Sequence, residues 1–306
     1  MGTSLALEIE APTRDVGLAA SEKAVRVIEA VEARLSTWRE DSELSLVNRQ
    51  PVGRPLSIST DLSSWLTRAR SWSERTDGSF EPSVGALVDL WGLRTGGVEA
   101  APTDEALAAA LASVGRARWS LAEEHVTRLA EGTRFEEGAF GKGAALDLAA
   151  KAAREAGATT VAIDLGGQWI FEGRPATCAV AHPLDRSRPF VTLERPTGSF
   201  STTGNSERGI SVAGKRLGHV LDPKTGRPAR DWGSLTVWAP SAFDADVLST
   251  ALYVMGPEAA VRWAADEPDV EVLCLEVVES ANPERRVRVH ASSAFRGAIP
   301  SVPSAR

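Results

Sequence analysis

Amphipathic helical repeats and short β-branched runs alternate along almost the whole chain, with no linker-like break in composition between them. Ala24, Val27, Ile28, Val31 and Leu35 recur at three- and four-residue steps and predict a helix from Ser21. Asp61 suits the N-cap of a second helix, with Leu62, Trp65, Leu66, Ala69 and Trp72 on one face and a stop at Thr76-Asp77-Gly78. Thr103 opens a third, running through Leu107, Leu111 and Val114 to Gly115. An alanine-rich segment predicts a helix over 144–156, and Ala242–Met255 predicts the last. Strands are expected near 3–10, 116–122, 125–130, 159–165, 177–181, 190–195, 209–213, 234–239, 271–278 and 286–291. Interleaving of this kind predicts the α+β class: one compact domain over residues 1–291, with mixed sheets and packed helices that could form two lobes. Residues 292–306 are small and polar and are expected to be a loosely ordered tail.

Composition narrows the function. The 306 residues can bury a sizeable core, and 43% hydrophobic with 25% charged residues suits a globular protein. A net charge of -7 without a Lys/Arg run argues against nucleic acid as a partner. Cys178 and Cys274 both lie in strand-like runs, and without a Cys-x-x-Cys pair they are expected to be buried free thiols. The opening apolar run is cut by Glu8, too short for a signal peptide, and Ala6 stands where a myristoylation motif needs Ser or Thr. No segment has the length of a membrane span, so no membrane partner and a cytoplasmic location are expected.

Three stretches carry chemistry. Gly218-His219-Val220-Leu221-Asp222-Pro223-Lys224-Thr225-Gly226-Arg227-Pro228 packs a histidine, an aspartate, two prolines and a glycine turn into eleven residues. On its own it reads either as a structural hairpin or as a fixed loop that aims His219. Gly138-Ala139-Phe140-Gly141-Lys142-Gly143 leads straight into the helix at 144 and could cradle an anion through N–H groups and the helix dipole, or serve tight helix packing. It is not a Walker loop, because Gly143 occupies the Ser/Thr position. In the helix Ala242–Met255, Val247, Leu248, Ala251, Leu252 and Met255 form the apolar side. Asp246 and Thr250 lie four apart on a different stripe, as two oxygen donors suited to a hard cation or as a solvated carboxylate beside a backbone-bonded threonine.

Taken in order, these stretches resemble the ApbE family of FAD:protein FMN transferases. Leu35-Ser36-Thr37-Trp38 with Asp41-Ser42-Glu43-Leu44 and Asn48 is similar to its first flavin-side segment. Gly78-Ser79-Phe80-Glu81-Pro82-Ser83-Val84-Gly85 through Leu90-Trp91-Gly92 is similar to the second. Gly138 to Asp147, Asp164-Leu165-Gly166-Gly167, Ser201-Thr202-Thr203-Gly204-Asn205-Ser206-Glu207-Arg208, the His219–Pro228 stretch and Ala245-Asp246 with Thr250-Ala251-Leu252 complete the series. Met1-Gly2-Thr3 is similar to the family's opening.

The resemblance implies a Mg²⁺-dependent enzyme that moves FMN from FAD to a Ser or Thr hydroxyl of an acceptor protein and releases AMP. FAD and that protein would be its partners. It implies Asp246, Thr250 and the Ala139 carbonyl as metal ligands and His219 as the catalytic base, whose ordinary pKa of about 6.5 suits proton transfer. Lys142 would face phosphate, and Met1, Trp38, Ser79, Phe80, Glu81, Glu136 and Leu221 would bind the dinucleotide. Glu81 and Glu136 stand where the family usually has aspartate, and Ser249 replaces an acid seen in some members. The same site could hydrolyse FAD to FMN and AMP, or bind flavin without turning it over.

Overall fold

The computed structural model describes residues 2–205, 209–279 and 286–296. Strand β1 (Leu5–Glu10) alternates half-buried Leu5, Leu7 and Ile9 with exposed neighbours, as a two-residue period requires. Helix α1 (Arg14–Leu35) starts two turns before its predicted beginning. Thr13 Oγ1 accepts from the Val16 N–H at 3.3 Å, and the first buried side chain is Ala20, so the helix begins before its apolar repeat does. After α2 (Glu43–Arg49) and β2 (Leu56–Ser57), α3 (Thr60–Arg75) is capped by Ser59 rather than Asp61, and it buries the five apolar side chains expected of it. Then come α4 (Gly85–Leu90), β3 (Gly97–Val98), α5 (Asp104–Leu111), β4 (Trp119–Ala122) and β5 (His125–Arg128).

Of the glycine/lysine segment, Gly141-Lys142-Gly143 form the first turn of α6 (Gly141–Glu155), and Gly138-Ala139-Phe140 make the turn before it. Strands β6 (Thr160–Leu165), β7 (Gln168–Glu172), β8 (Ala176–His182), β9 (Asp185–Arg195), β10 (Gly198–Gly204), β11 (Gly209–Val212), β12 (Lys215–Gly218) and β13 (Gly233–Ala239) follow. Helices α7 (Ala242–Met255) and α8 (Pro257–Ala264), strands β14 (Glu271–Val277) and β15 (Val287–Ala291), and α9 (Ser293–Arg296) close the described chain. The expected tail therefore opens with a helical turn, whose Phe295 is buried and stacks on Phe200 with ring centroids 6.3 Å apart. No helix among the described residues is long and apolar enough to cross a membrane.

The main sheet has the order β1-β6-β7-β10-β13-β14-β15 with every neighbouring pair antiparallel. Both of its faces are covered. On one, α1, α6, α7 and α8 bury Ile163, Leu235, Val237, Val272 and Cys274. On the other, the β8–β9 hairpin and α9 bury Phe171, Phe200, Trp238, Leu273 and Leu275. Double coverage makes β14 continuously apolar instead of alternating, with Glu271 and Glu276 buried at its ends. A third, smaller core packs α4 and α5 against β11 and β12, with β3 parallel to β11, and takes in Leu221.

Helix α7 is buried nearly all round, so of the two readings of its polar stripe the one with a solvated carboxylate does not hold. Ala242, Phe243, Ala245, Val247, Leu248, Ala251 and Leu252 all lie in the main core, and Asp246 is only 2% exposed. Its approach to α6 depends on Gly143. A Cβ there would stand 2.3 Å from the Ala242 carbonyl oxygen and 2.6 Å from Phe243 Cα, both backbone atoms. Asp147 of α6 fastens the same contact, accepting from Ser241 Oγ at 2.7 Å and from the N–H groups of Ala242 at 2.6 Å and Phe243 at 3.1 Å. The two helices thus meet end to side, and the start of α6 is held against the first turns of α7.

Candidate active site

At that contact Asp246 faces the N-terminus of α6. Its Oδ1 accepts from Lys142 Nζ at 3.0 Å and its Oδ2 from the Gly143 N–H at 3.0 Å. Phe140, the N-cap of α6, makes no side-chain cap, so the Asp246 carboxylate satisfies one of the orphan donors and sits in the positive end of the helix dipole. Thr250 Oγ1 lies one turn on, 3.5 Å from the Asp246 carbonyl oxygen. Ser249 Oγ donates to that carbonyl at 3.0 Å and also lies 3.1 Å from Ser201 Oγ and 2.8 Å from Thr203 Oγ1 on β10. Ala139, half-buried, stands just before the N-cap Phe140. The surroundings of Asp246 therefore offer hydroxyl and carbonyl oxygens and one ammonium.

Among the described residues no three His, Cys, Asp or Glu side chains gather into a metal cluster. A single carboxylate with neutral oxygens still suits Mg²⁺, which keeps several waters and uses substrate phosphates to fill its octahedron. The Lys142 ammonium on Oδ1 shows that this position already holds a positive charge. On these grounds the donor chemistry of Asp246 and Thr250 fits a hard divalent ion.

The three segments expected to bind the dinucleotide are laced together. The Glu136 N–H donates to the Pro82 carbonyl at 2.8 Å, and the Gly85 N–H to Arg134 O at 2.9 Å, joining the Ser79–Gly85 stretch to the approach of α6. Thr37 Oγ1 lies 2.7 Å from Glu137 Oε2 and 3.2 Å from Glu136 Oε1, tying in the first segment. Arg94 donates to Glu136 and to Thr37 Oγ1, and its guanidinium carbon stands 5.4 Å over the Trp38 ring. Trp38 is 69% exposed, which leaves a broad aromatic surface open. Ser79 and Phe80 are buried. Glu81, also buried, spends its carboxylate inside the protein, accepting from Ser73 Oγ at 3.0 Å and from Ser83 Oγ at 2.7 Å and N–H at 3.1 Å. Met1 lies outside the described residues.

Burial, reinforced by the neighbouring charge of Glu137 and opposed by Arg94, pushes the Glu136 carboxyl from its ordinary 4.5 up to about 8. The folded protein then keeps a proton that the unfolded chain releases. The resulting stability is complete below the unfolded value and is lost as the pH climbs through about 8. Glu136→Gln, which cannot ionise, should match the natural protein near pH 4 and melt higher by on the order of 5 °C at about pH 8.5. Melting curves of both across that range would reveal it; parallel curves would mean that Glu136 is ionised throughout.

His219 follows directly on β12 and is half-buried, with Val220 reaching into the main core and Leu221 into the smaller one. The turn beyond it is rigid. Asp222 accepts from the Lys224 N–H and from Thr225 Oγ1, each at 2.9 Å, while the Asp222 N–H donates to Arg227 O at 2.8 Å. Gly226 has φ +68°, the conformation that suits glycine, and its carbonyl accepts from Trp91 Nε1 at 2.7 Å. Lys224 Nζ lies 2.6 Å from Asp77 Oδ2. These bonds seat the His219–Pro228 turn against the Ser79–Trp91 segment. Beside it opens a cleft of about 450 Å³, lined among others by Trp91, Asn205, Gly218, Arg227 and Pro228.

Sequence reasoning overlooked Glu137 and Arg94. Arg94 lies in a glycine-bearing loop with no periodic signal, and only its three-dimensional approach to Glu136 and Trp38 gives it a place. The hydroxyls of Ser201 and Thr203 belonged to a recognised motif, but their contact with Ser249 depends on β10 lying beside α7.

A family model described as the ApbE family matches residues 1–274. The FAD:protein FMN transferase of Treponema pallidum is 30% identical over 295 residues, covering 89% of this chain and 80% of that protein. Its namesake from Haemophilus influenzae is 31% identical over 264 residues, covering 80% and 76%. The fold superposes on the flavin transferase ApbE from Vibrio cholerae with a TM-score of 0.83 at 25% identity, covering 98% of this chain and 96% of that one. For the ApbE protein of Thermotoga maritima the TM-score is 0.85 at 26% identity, with the same coverage. A model that spans nearly the whole chain, relatives at this identity and structures that share the whole fold agree: the chain belongs to the ApbE family.

Proposed function

We propose that the chain transfers FMN from FAD to a Ser or Thr hydroxyl of an acceptor protein, releasing AMP, with Mg²⁺ bound at Asp246. The observation that carries this reading is the buried Asp246 carboxylate, which meets the N-terminus of α6 and the Lys142 ammonium in a member of the ApbE family. Asp246, Thr250 and the Ala139 carbonyl would hold the ion. When bound, it would neutralise charge on the diphosphate of FAD. Lys142 and the N–H groups at the start of α6 would face the phosphate oxygens.

His219 takes the proton from the acceptor hydroxyl. Its oxygen then bonds to the phosphorus of the FMN half as the anhydride P–O bond to AMP breaks, and AMP carries away the bridging oxygen. The hydrogen-bonded turn that follows His219 would hold its backbone in place, which proximity catalysis requires. Trp38 offers an exposed ring face for stacking, and Ser79, Phe80, Glu136, Leu221 and Met1 would make the other contacts with the dinucleotide. Glu81 holds the Ser79–Ser83 bend from within.

Incubation of the purified protein with FAD and Mg²⁺ tests the proposal. AMP should appear only when an acceptor carrying an exposed Ser or Thr is added, and the acceptor should gain the mass of FMN. AMP release without acceptor would make the protein an FAD pyrophosphatase. Tight yellow binding with FAD unchanged would make it a flavin-binding protein.

A further inference from the structure

The side chain of Asp246 is 3% exposed, and that of Lys142 is 30% exposed. A carboxylate buried to this degree carries a large desolvation cost unless a positive charge stands beside it. In the protein as folded, the Lys142 ammonium supplies that charge at 3.0 Å from Oδ1, while the Gly143 N–H occupies Oδ2. The two partners differ in kind. Gly143 is a backbone donor locked by the α6–α7 contact, whereas Lys142 is a flexible four-carbon stem with one end toward solvent. Only Lys142 can move away without disturbing the helices.

We infer that Lys142 is a tethered substitute for the metal: it neutralises Asp246 in the metal-free protein, gives up Oδ1 when a divalent cation binds, and turns to a phosphate of the incoming dinucleotide. This inference rests on the metal site proposed above. A divalent ion placed on Oδ1 repels the ammonium beside it, so metal binding to the free protein includes the displacement of Lys142. A diphosphate offers the displaced ammonium a new partner, so metal and dinucleotide each favour the binding of the other through this one side chain. The arrangement keeps Asp246 paired at every stage.

The test is Mn²⁺ binding to the whole protein without any nucleotide, followed by calorimetry or by the spin-resonance signal of free Mn²⁺. Lys142→Met should bind Mn²⁺ at least about fivefold more tightly than the natural protein, because no internal cation has to be displaced. Without metal it should melt lower than the natural protein, and Mn²⁺ should raise its melting temperature by more. Lys142→Gln retains a hydrogen-bond donor without the charge, and should show the same tighter binding should Lys142→Met fail to fold. Unchanged or weaker Mn²⁺ affinity in the lysine variants would overturn the inference. Asp246→Asn separates the two levels of the argument. If it binds Mn²⁺ as well as the natural protein does, the metal site itself is misplaced. If it loses binding while the lysine variants merely equal the natural protein, the site stands and the role of Lys142 falls.

Discussion

Asp246→Asn should lower FAD-dependent AMP release by about a thousandfold, since a metal on the diphosphate is worth several kcal/mol and each 1.4 kcal/mol is about tenfold in rate. The substitution is isosteric but removes the charge from the buried end of α6. Lys142 and the Gly143 N–H would then face a neutral amide, and the amide NH₂ would point at one of two donors. A second effect is therefore expected: a loss of about 1–3 kcal/mol in stability from donors left unsatisfied. Read as a surface residue of an amphipathic helix, Asp246 would have been free of this cost. Single-turnover AMP release and a denaturant titration of the same preparation separate the two effects. Activity that survives in a folded variant would remove Asp246 from the metal site.

His219→Ala is expected to slow AMP release by about 10²–10⁴-fold, the range of a lost general base. Affinity for FAD should change only a few-fold, because the turn from Asp222 to Gly226 is closed by its own hydrogen bonds. Equilibrium binding of FAD, measured beside the rate, is the discriminating readout. A matching loss in both would make His219 a residue that holds substrate rather than one that moves the proton.

Much of this architecture could be read from residue order. Ala242–Met255 begins and ends where its caps and apolar spacing place it, because Ser241 accepts from the Asp244 N–H and Gly256 follows the last turn. The strands of β6, β13 and β14 are rich in β-branched or leucine side chains and were equally legible. Strand β10, missed in the sequence, reads Gly-Ser-Phe-Ser-Thr-Thr-Gly. Its place in the centre of the sheet is secured by pairing with β7 and β13 and by hydroxyl contacts, none of which leaves an apolar period. Helix α8 is short and starts at Pro257, directly after Gly256, whose φ of +87° ends α7, so its boundaries are set by tertiary packing. At the site, the spacing of Asp246 and Thr250 on one stripe of α7 was legible. That Lys142 sits on Asp246 was not, because the contact joins residues 104 positions apart through the space that Gly143 leaves between two helices.

The pairing of β1 with β6 has a consequence for how the enzyme is assembled. Leu5 pairs with Leu165 and Glu10 with Thr160, so this edge of the sheet closes only after roughly 150 residues have been made. Trp38, Ser79 to Glu81, Glu136 and Lys142 all belong to the excursion between those two strands. Asp246 and His219 arrive later still. A ribosome-bound chain that ends before β12 would thus carry Trp38 and Lys142 but lack both His219 and Asp246. Long-range closure of this kind folds slowly, and the Lys142–Asp246 contact bridges the excursion and the late helix, so it forms only once α7 has packed against α6.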